Sequence, residues 1–163
     1  MRARVVEVAR SGIRHERRIH YAELRPIDGL HQPHKLPLWT DCSGFVTLCY
    51  AWAGAPDPHG LGYSGAGYTG TLLAHMQPIG LESVRPGDVV VWGPAPGQHA
   101  ALVLEPGPDP LLCSHGQERG PLAIRFSTED AVQPPPAVFL SCSTRVASSL
   151  PARAPEPGAG SAR

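Results

Sequence analysis

Thr40-Asp41-Cys42-Ser43-Gly44-Phe45-Val46 places one thiol at the point where irregular chain becomes helix. Asp41 is a good helix N-cap, since its short carboxylate can accept a bond from an unpaired first-turn N–H. Phe45, Val46, Cys49, Tyr50 and Ala53 then recur at helical spacing, and Gly54 supplies the stop. Cys42 therefore falls in the first helical turn, where free N–H groups and the positive end of the helix dipole favour a thiolate. A helix end contributes about 0.3 to 1 kcal/mol to an adjoining charge, and about 2 in partly buried geometry. Lowering the titration of any thiol by two units takes about 2.7 kcal/mol. A cationic partner is therefore expected, most simply a histidine on a rigid element. Gly44 costs the helix about 1 kcal/mol against alanine, which points to a close approach to the backbone there.

The composition narrows the field around that thiol. The chain has 163 residues, enough for one domain with a real core. Its formal net charge is zero, so no basic footprint argues for nucleic acid. No run approaches the roughly 20 apolar residues of a membrane span. The N-terminal segment carries Arg2, Arg4, Glu7, Arg10, Arg14, Glu16, Arg17 and Arg18 and lacks the apolar centre of a signal peptide, so a soluble cytoplasmic product is expected. The cysteines at 42, 49, 113 and 142 have neither C-x-x-C spacing nor the density of a disulfide scaffold. Cys49, Cys113 and Cys142 lie in apolar stretches and read as small hydrophobes. The one close histidine pair, His31 and His34, is interrupted by Pro33, so neither a metal nor any other cofactor is expected.

Along the chain, residues 1 to about 16 read as an amphipathic helix with Val5, Val6, Ala9 and Ile13 on its inner side. Its arginine side is either simply solvated or in contact with an anionic envelope. Prolines 26, 33 and 37 make the following segment an extended, loop-rich approach to Cys42. After Gly54 comes a glycine and tyrosine loop reaching Gly70, either a wall of a substrate groove or an ordinary surface loop. Thr69 to Met76 reads as a short helix. From Val84 the period changes: strands are expected over Asp88–Trp92, Gln98–Glu105, Leu111–His115, Leu122–Ser127 and Ala137–Ser143. Apolar residues on both faces make the second of these central. Helices followed by a mostly antiparallel sheet is an α+β order. Residues 1–143 form the expected domain, and 144–163, rich in Ala, Ser, Pro, Gly and Arg, a disordered tail or linker.

Two histidines lie where a partner for Cys42 is needed. In a hairpin centred on Gly107, His99 and His115 fall opposite one another on one face, and directly opposed Cβ atoms lie about 4.5 to 5.5 Å apart. The expected chemistry is nucleophilic acyl transfer. Cys42 attacks a carbonyl, His99 is its imidazolium partner and protonates the leaving amine, and His115 orients His99. Backbone N–H groups at the start of the helix would receive the oxyanion.

Three blocks resemble the NlpC-type cell-wall peptidases, a papain-like family of bacterial and phage peptidoglycan hydrolases. Asp41-Cys42-Ser43-Gly44-Phe45-Val46 is similar to the family's nucleophile motif. Arg85-Pro86-Gly87-Asp88-Val89-Val90-Val91-Trp92 resembles the turn and strand before its histidine, and His99-Ala100-Ala101-Leu102-Val103 its histidine strand. The resemblance spans roughly residues 19 to 116, with His115 at the place of the family's third polar residue. It implies a papain-like α+β fold, with the nucleophile helix packed on the sheet. It also implies cysteine peptidase activity on peptidoglycan stem peptides, commonly at the D-glutamyl–diamino acid bond. Tyr21, Asp41 and Ser43 become candidate substrate or oxyanion contacts. Two features depart from the family: its Tyr-x-Trp-Gly-Gly-like run is missing, Tyr21 standing further upstream, and the loop from Gly54 to Gly70 looks more like versions in phage lysis or tail proteins. With no signal peptide, a phage lysin released through a holin or a virion-associated hydrolase is the expectation. The same machinery also suits an N-acetylmuramoyl-L-alanine amidase, another amide acyl transfer, or an inactive wall-binding or virion structural module.

Overall fold

A computed structural model describes residues 1–117 and 120–142; the expected tail at 144–163 lies outside the described residues. Helix α1 (Arg2–Arg14) turns Val5 and Ala9 inward. A short parallel pair follows, β1 (Ile19–Tyr21) beside β2 (Leu38–Thr40). Helix α2 (Cys42–Trp52) begins at the thiol and is buried continuously from Cys42 to Tyr50. Gly54, at φ +66°, takes the left-handed conformation that ends it, two residues later than the helix proper. Helix α3 (Thr69–His75) and strand β3 (Gln77–Ile79) lead into β4 (Val89–Trp92), β5 (His99–Glu105), β6 (Leu111–Ser114) and β7 (Leu122–Arg125). Helix α4 (Phe126–Asp130) and β8 (Ala137–Ser141) complete the described chain.

The six strands β3 to β8 form one antiparallel sheet in the order β3-β8-β4-β5-β6-β7. Its two faces bury different sets of side chains. Val89, Val91, Ala100, Leu102, Leu104, Cys113 and Leu140 meet α1 and α2, in a core that includes Val5, Phe45, Val46 and Cys49. Val90, Trp92, Ala101, Val103, Leu112 and Phe139 form a second core under Val84, Ile124 and Phe126. Strand β5 is thus covered on both sides, as its unbroken apolar run requires. Among the described residues, no helix is long and apolar enough to cross a membrane.

The region after α2 is an organised loop. The Asp57 carboxylate accepts the backbone N–H groups of His59, Leu61 and Tyr63 at 2.8 to 3.0 Å, and the Tyr63 hydroxyl donates to Ala55 O at 2.6 Å. Burial works against the Asp57 charge, but these three donors outweigh it and hold the carboxyl below its ordinary range. His59, 4 % exposed, bridges Thr47 of α2 and Thr71 of α3, with 2.7 Å from each ring nitrogen.

Candidate active site

Asp41 builds the start of α2 as its sequence position predicts. Its Oδ1 accepts from Gly44 N at 2.6 Å and from the Ser43 hydroxyl at 3.1 Å. A side chain at Gly44 would collide with Thr40 Oγ1 and come within 3.0 Å of Asp41 Oδ1, which accounts for glycine in the first turn. Cys42 is 6 % exposed, and of the neighbours that raise the His99 titration it is the foremost. His99 is the first residue of β5, paired with Trp92 of β4 and stacked on its indole at 5.6 Å between ring centroids.

The other side of the His99 ring meets a carboxylate. His99 Nε2 lies 2.8 Å from Ser114 Oγ and 3.1 Å from Glu129 Oε1. Ser114 Oγ donates to Glu129 Oε1 at 3.1 Å, and Gln133 Nε2 donates to the same oxygen at 2.9 Å. Nε2 is therefore the donor side of the imidazole, and Nδ1 is left for the thiol. Burial disfavours a charged His99, but the neighbouring Cys42 and Glu129 outweigh it, and the imidazolium is pushed up to about 9. Glu129 is held below the ordinary carboxylate range, chiefly by its bond to His99.

This arrangement corrects the expected pairing of His99 with His115. The strands pair Ala101 with Ser114 and Leu102 with Cys113, while nearer the turn Glu105 pairs with Leu111, so Leu104 is an extra residue in β5. That bulge shifts the register by one and exchanges the faces of the neighbouring residues. Ser114, not His115, shares the face of His99. His115 points toward the helices, where its ring lies 5.7 Å from that of Phe45 and 5.8 Å from that of Tyr21, and its Nε2 lies 2.9 Å from Thr40 O. Its contact with Thr40 O ties the end of β6 to the strand leading into Cys42.

Tyr21 lines a cavity of about 420 Å³ beside His99, together with Gln98, Ser114, Glu129 and Gln133. Its hydroxyl donates to Glu23 at 3.1 Å. Burial first, then the charge of Cys42, raises its titration, so the phenol stays protonated through the neutral range. Asp41 and Ser43 stand beside Cys42, but their side chains are occupied with each other, with Gly44 N and with Arg25. Glu129 was invisible to sequence reasoning: it sits where strand was expected to give way to loop, and no spacing links it to His99. Phe126 stacks on Trp92 at 5.9 Å and Ser127 bonds Asp109 through both N–H and hydroxyl, and these contacts seat α4 under His99. Among the described residues, no group of three or more His, Cys, Asp or Glu is arranged to hold a metal ion.

Helices packed on a six-stranded antiparallel sheet, with a thiol at the first turn of the core helix and an imidazole opening the central strand, form an α+β fold of the NlpC/p60 type. The chain matches the solved NlpC/p60 domain of the peptidoglycan hydrolase SagA with a TM-score of 0.55, over 86% of this chain and 98% of that one, at 19% sequence identity. No protein-family model and no curated protein matches the sequence.

Proposed function

We propose that the chain is a cysteine peptidase that cleaves peptidoglycan stem peptides at the bond between D-glutamate and a diamino acid. The observation that carries this reading is the placement of the Cys42 thiol at the first turn of α2 near an imidazole, that of His99, which Ser114 and Glu129 hold from behind. The fold it shares with the SagA domain supports the wall as substrate.

The chemistry runs through these residues in order. The Cys42 thiolate attacks the scissile carbonyl, and the oxyanion is received by the N–H groups of Cys42 and Ser43, since Asp41 already takes that of Gly44. The His99 imidazolium gives its Nδ1 proton to the departing amine, which leaves a thioester on Cys42. Neutral His99 then takes a proton from water, the resulting hydroxide opens the thioester, and the free acid leaves with the thiol restored. Throughout, Ser114 and Glu129 hold Nε2–H, so the ring keeps one tautomer and one orientation. The cavity beside His99 accommodates the leaving-group half of the substrate.

A synthetic stem peptide containing the D-glutamyl–diamino acid bond, incubated with the protein and analysed by mass spectrometry, tests the reading. Cleavage there, with a new amine on the diamino acid, is the expected outcome. A cut only at a muramoyl–alanine amide would keep the nucleophile and replace the substrate.

A further inference from the structure

Arg25 belongs to none of the motifs that mark the nucleophile or the base, yet its guanidinium converges on the nucleophile turn. Nη2 forms an ion pair with Asp41 Oδ2 at 2.9 Å and donates to Ser43 Oγ at 3.1 Å, so Arg25 grips the residues on both sides of Cys42. Nε donates to Gly67 O at 2.8 Å and Nη1 to Leu24 O at 2.6 Å. Both oxygens of Asp41 are thereby engaged, Oδ1 by the helix cap and Oδ2 by the arginine. The Ser43 hydroxyl donates to Asp41 and accepts from Arg25.

The same arginine fastens a loop. Gly67 belongs to the segment after α2, and next to Arg25 the Ile27 N–H donates to Gly65 O at 3.0 Å. Gly65, at φ +83°, packs so closely that a side chain would sit 2.8 Å from Pro26 Cβ. From the other side, His59 meets Thr47, whose hydroxyl donates to Ser43 O at 2.7 Å. The loop from 54 to 70 therefore reaches the nucleophile turn by two routes, through Arg25 to its side chains and through Thr47 to its backbone.

We propose that Arg25 is a positioning residue for Cys42, whose planar fork locks the Asp41–Ser43 turn to the 54–70 loop and so fixes the direction of the thiol. This rests on Cys42 being the nucleophile of the proposed reaction. A planar fork donating to three acceptors while pairing with a carboxylate is a task for arginine that lysine, a flexible point charge, performs poorly.

The test compares wild type with Arg25→Gln and Arg25→Lys in three readouts: thermal midpoint, kcat and KM on the stem peptide, and the rate of Cys42 alkylation by iodoacetamide. Alkylation needs no substrate. In folded Arg25→Gln, kcat and the alkylation rate are both expected to fall about tenfold, with KM within about threefold of wild type. Arg25→Lys is expected between the two, and it is the variant to read if Arg25→Gln does not fold. Alkylation within twofold of wild type in a folded variant would overturn the proposal, as would a loss of kcat that only tracks the unfolded fraction. A raised KM at unchanged kcat would make Arg25 a substrate contact instead. If alkylation slows while even the wild type leaves the peptide uncut, Arg25 keeps its role and the assigned substrate falls.

Discussion

At the scale of the residue, the site depends on how His99 is held. Glu129 accepts from both Ser114 and Gln133 and faces the donor side of the imidazole, so it stabilises the imidazolium as well as orienting it. The folded pKa of His99, about 9, lies above the ordinary value of 6.5. The stabilising contribution of the charged ring is thus complete below about 6.5 and is lost as pH rises through about 9. The alkaline limb of the kcat profile is accordingly expected near 9, where His99 ceases to be an acid. Glu129→Gln should lower kcat by about tenfold and move that limb toward neutrality. An unmoved limb in that variant would remove Glu129 from the machinery. His115→Ala makes the complementary case, because His115 is 1 % exposed and packs on Phe45. It should cost about 2 to 4 kcal/mol of stability, read by denaturant unfolding, while leaving the alkaline limb in place.

At the scale of the element, local signals succeeded and pairing signals did not. Asp41, the apolar spacing after it and Gly54 foretold α2 to within two residues, because a capped helix is written in neighbouring positions. The apolar runs of β4 and β5 were equally plain. The partner of His99 was not, because face depends on register and one extra residue reverses it. Nothing in Val103-Leu104-Glu105 announces that Leu104 is the extra residue. Glu129 was hidden for a related reason: α4 has five residues and is placed by Phe126 and Asp109, contacts that no local periodicity encodes. The first turn of α2 offers a test at this scale. Gly44→Ala should destabilise the protein despite alanine's better helix propensity, since the added methyl meets Thr40 and Asp41. A thermal midpoint at or above that of the wild type would show that the close approach has room to relax.

At the scale of the whole molecule, two helices and an organised loop are gathered on one sheet so that the thiol and the imidazole meet. His59 is the joint of that assembly, buried between Thr47 and Thr71. Burial, with smaller contributions from Arg25 and His75 and against the pull of Asp57 and Asp41, lowers its pKa to about 4. The neutral ring is therefore the folded form: its contribution is intact above about 6.5 and is lost as pH falls from there through about 4. Acidification across that window should cost about 2 to 3 kcal/mol, and His59→Gln should flatten this part of the pH–stability curve. Chemical denaturation at several pH values checks both statements. The central claim, that Cys42 attacks a wall peptide, is tested most directly by mass spectrometry of fragments released from purified peptidoglycan by wild type and by folded Cys42→Ala. Fragments ending at D-glutamate, with new diamino-acid amines, released by the wild type alone are the predicted result. Equal release by Cys42→Ala would contradict it.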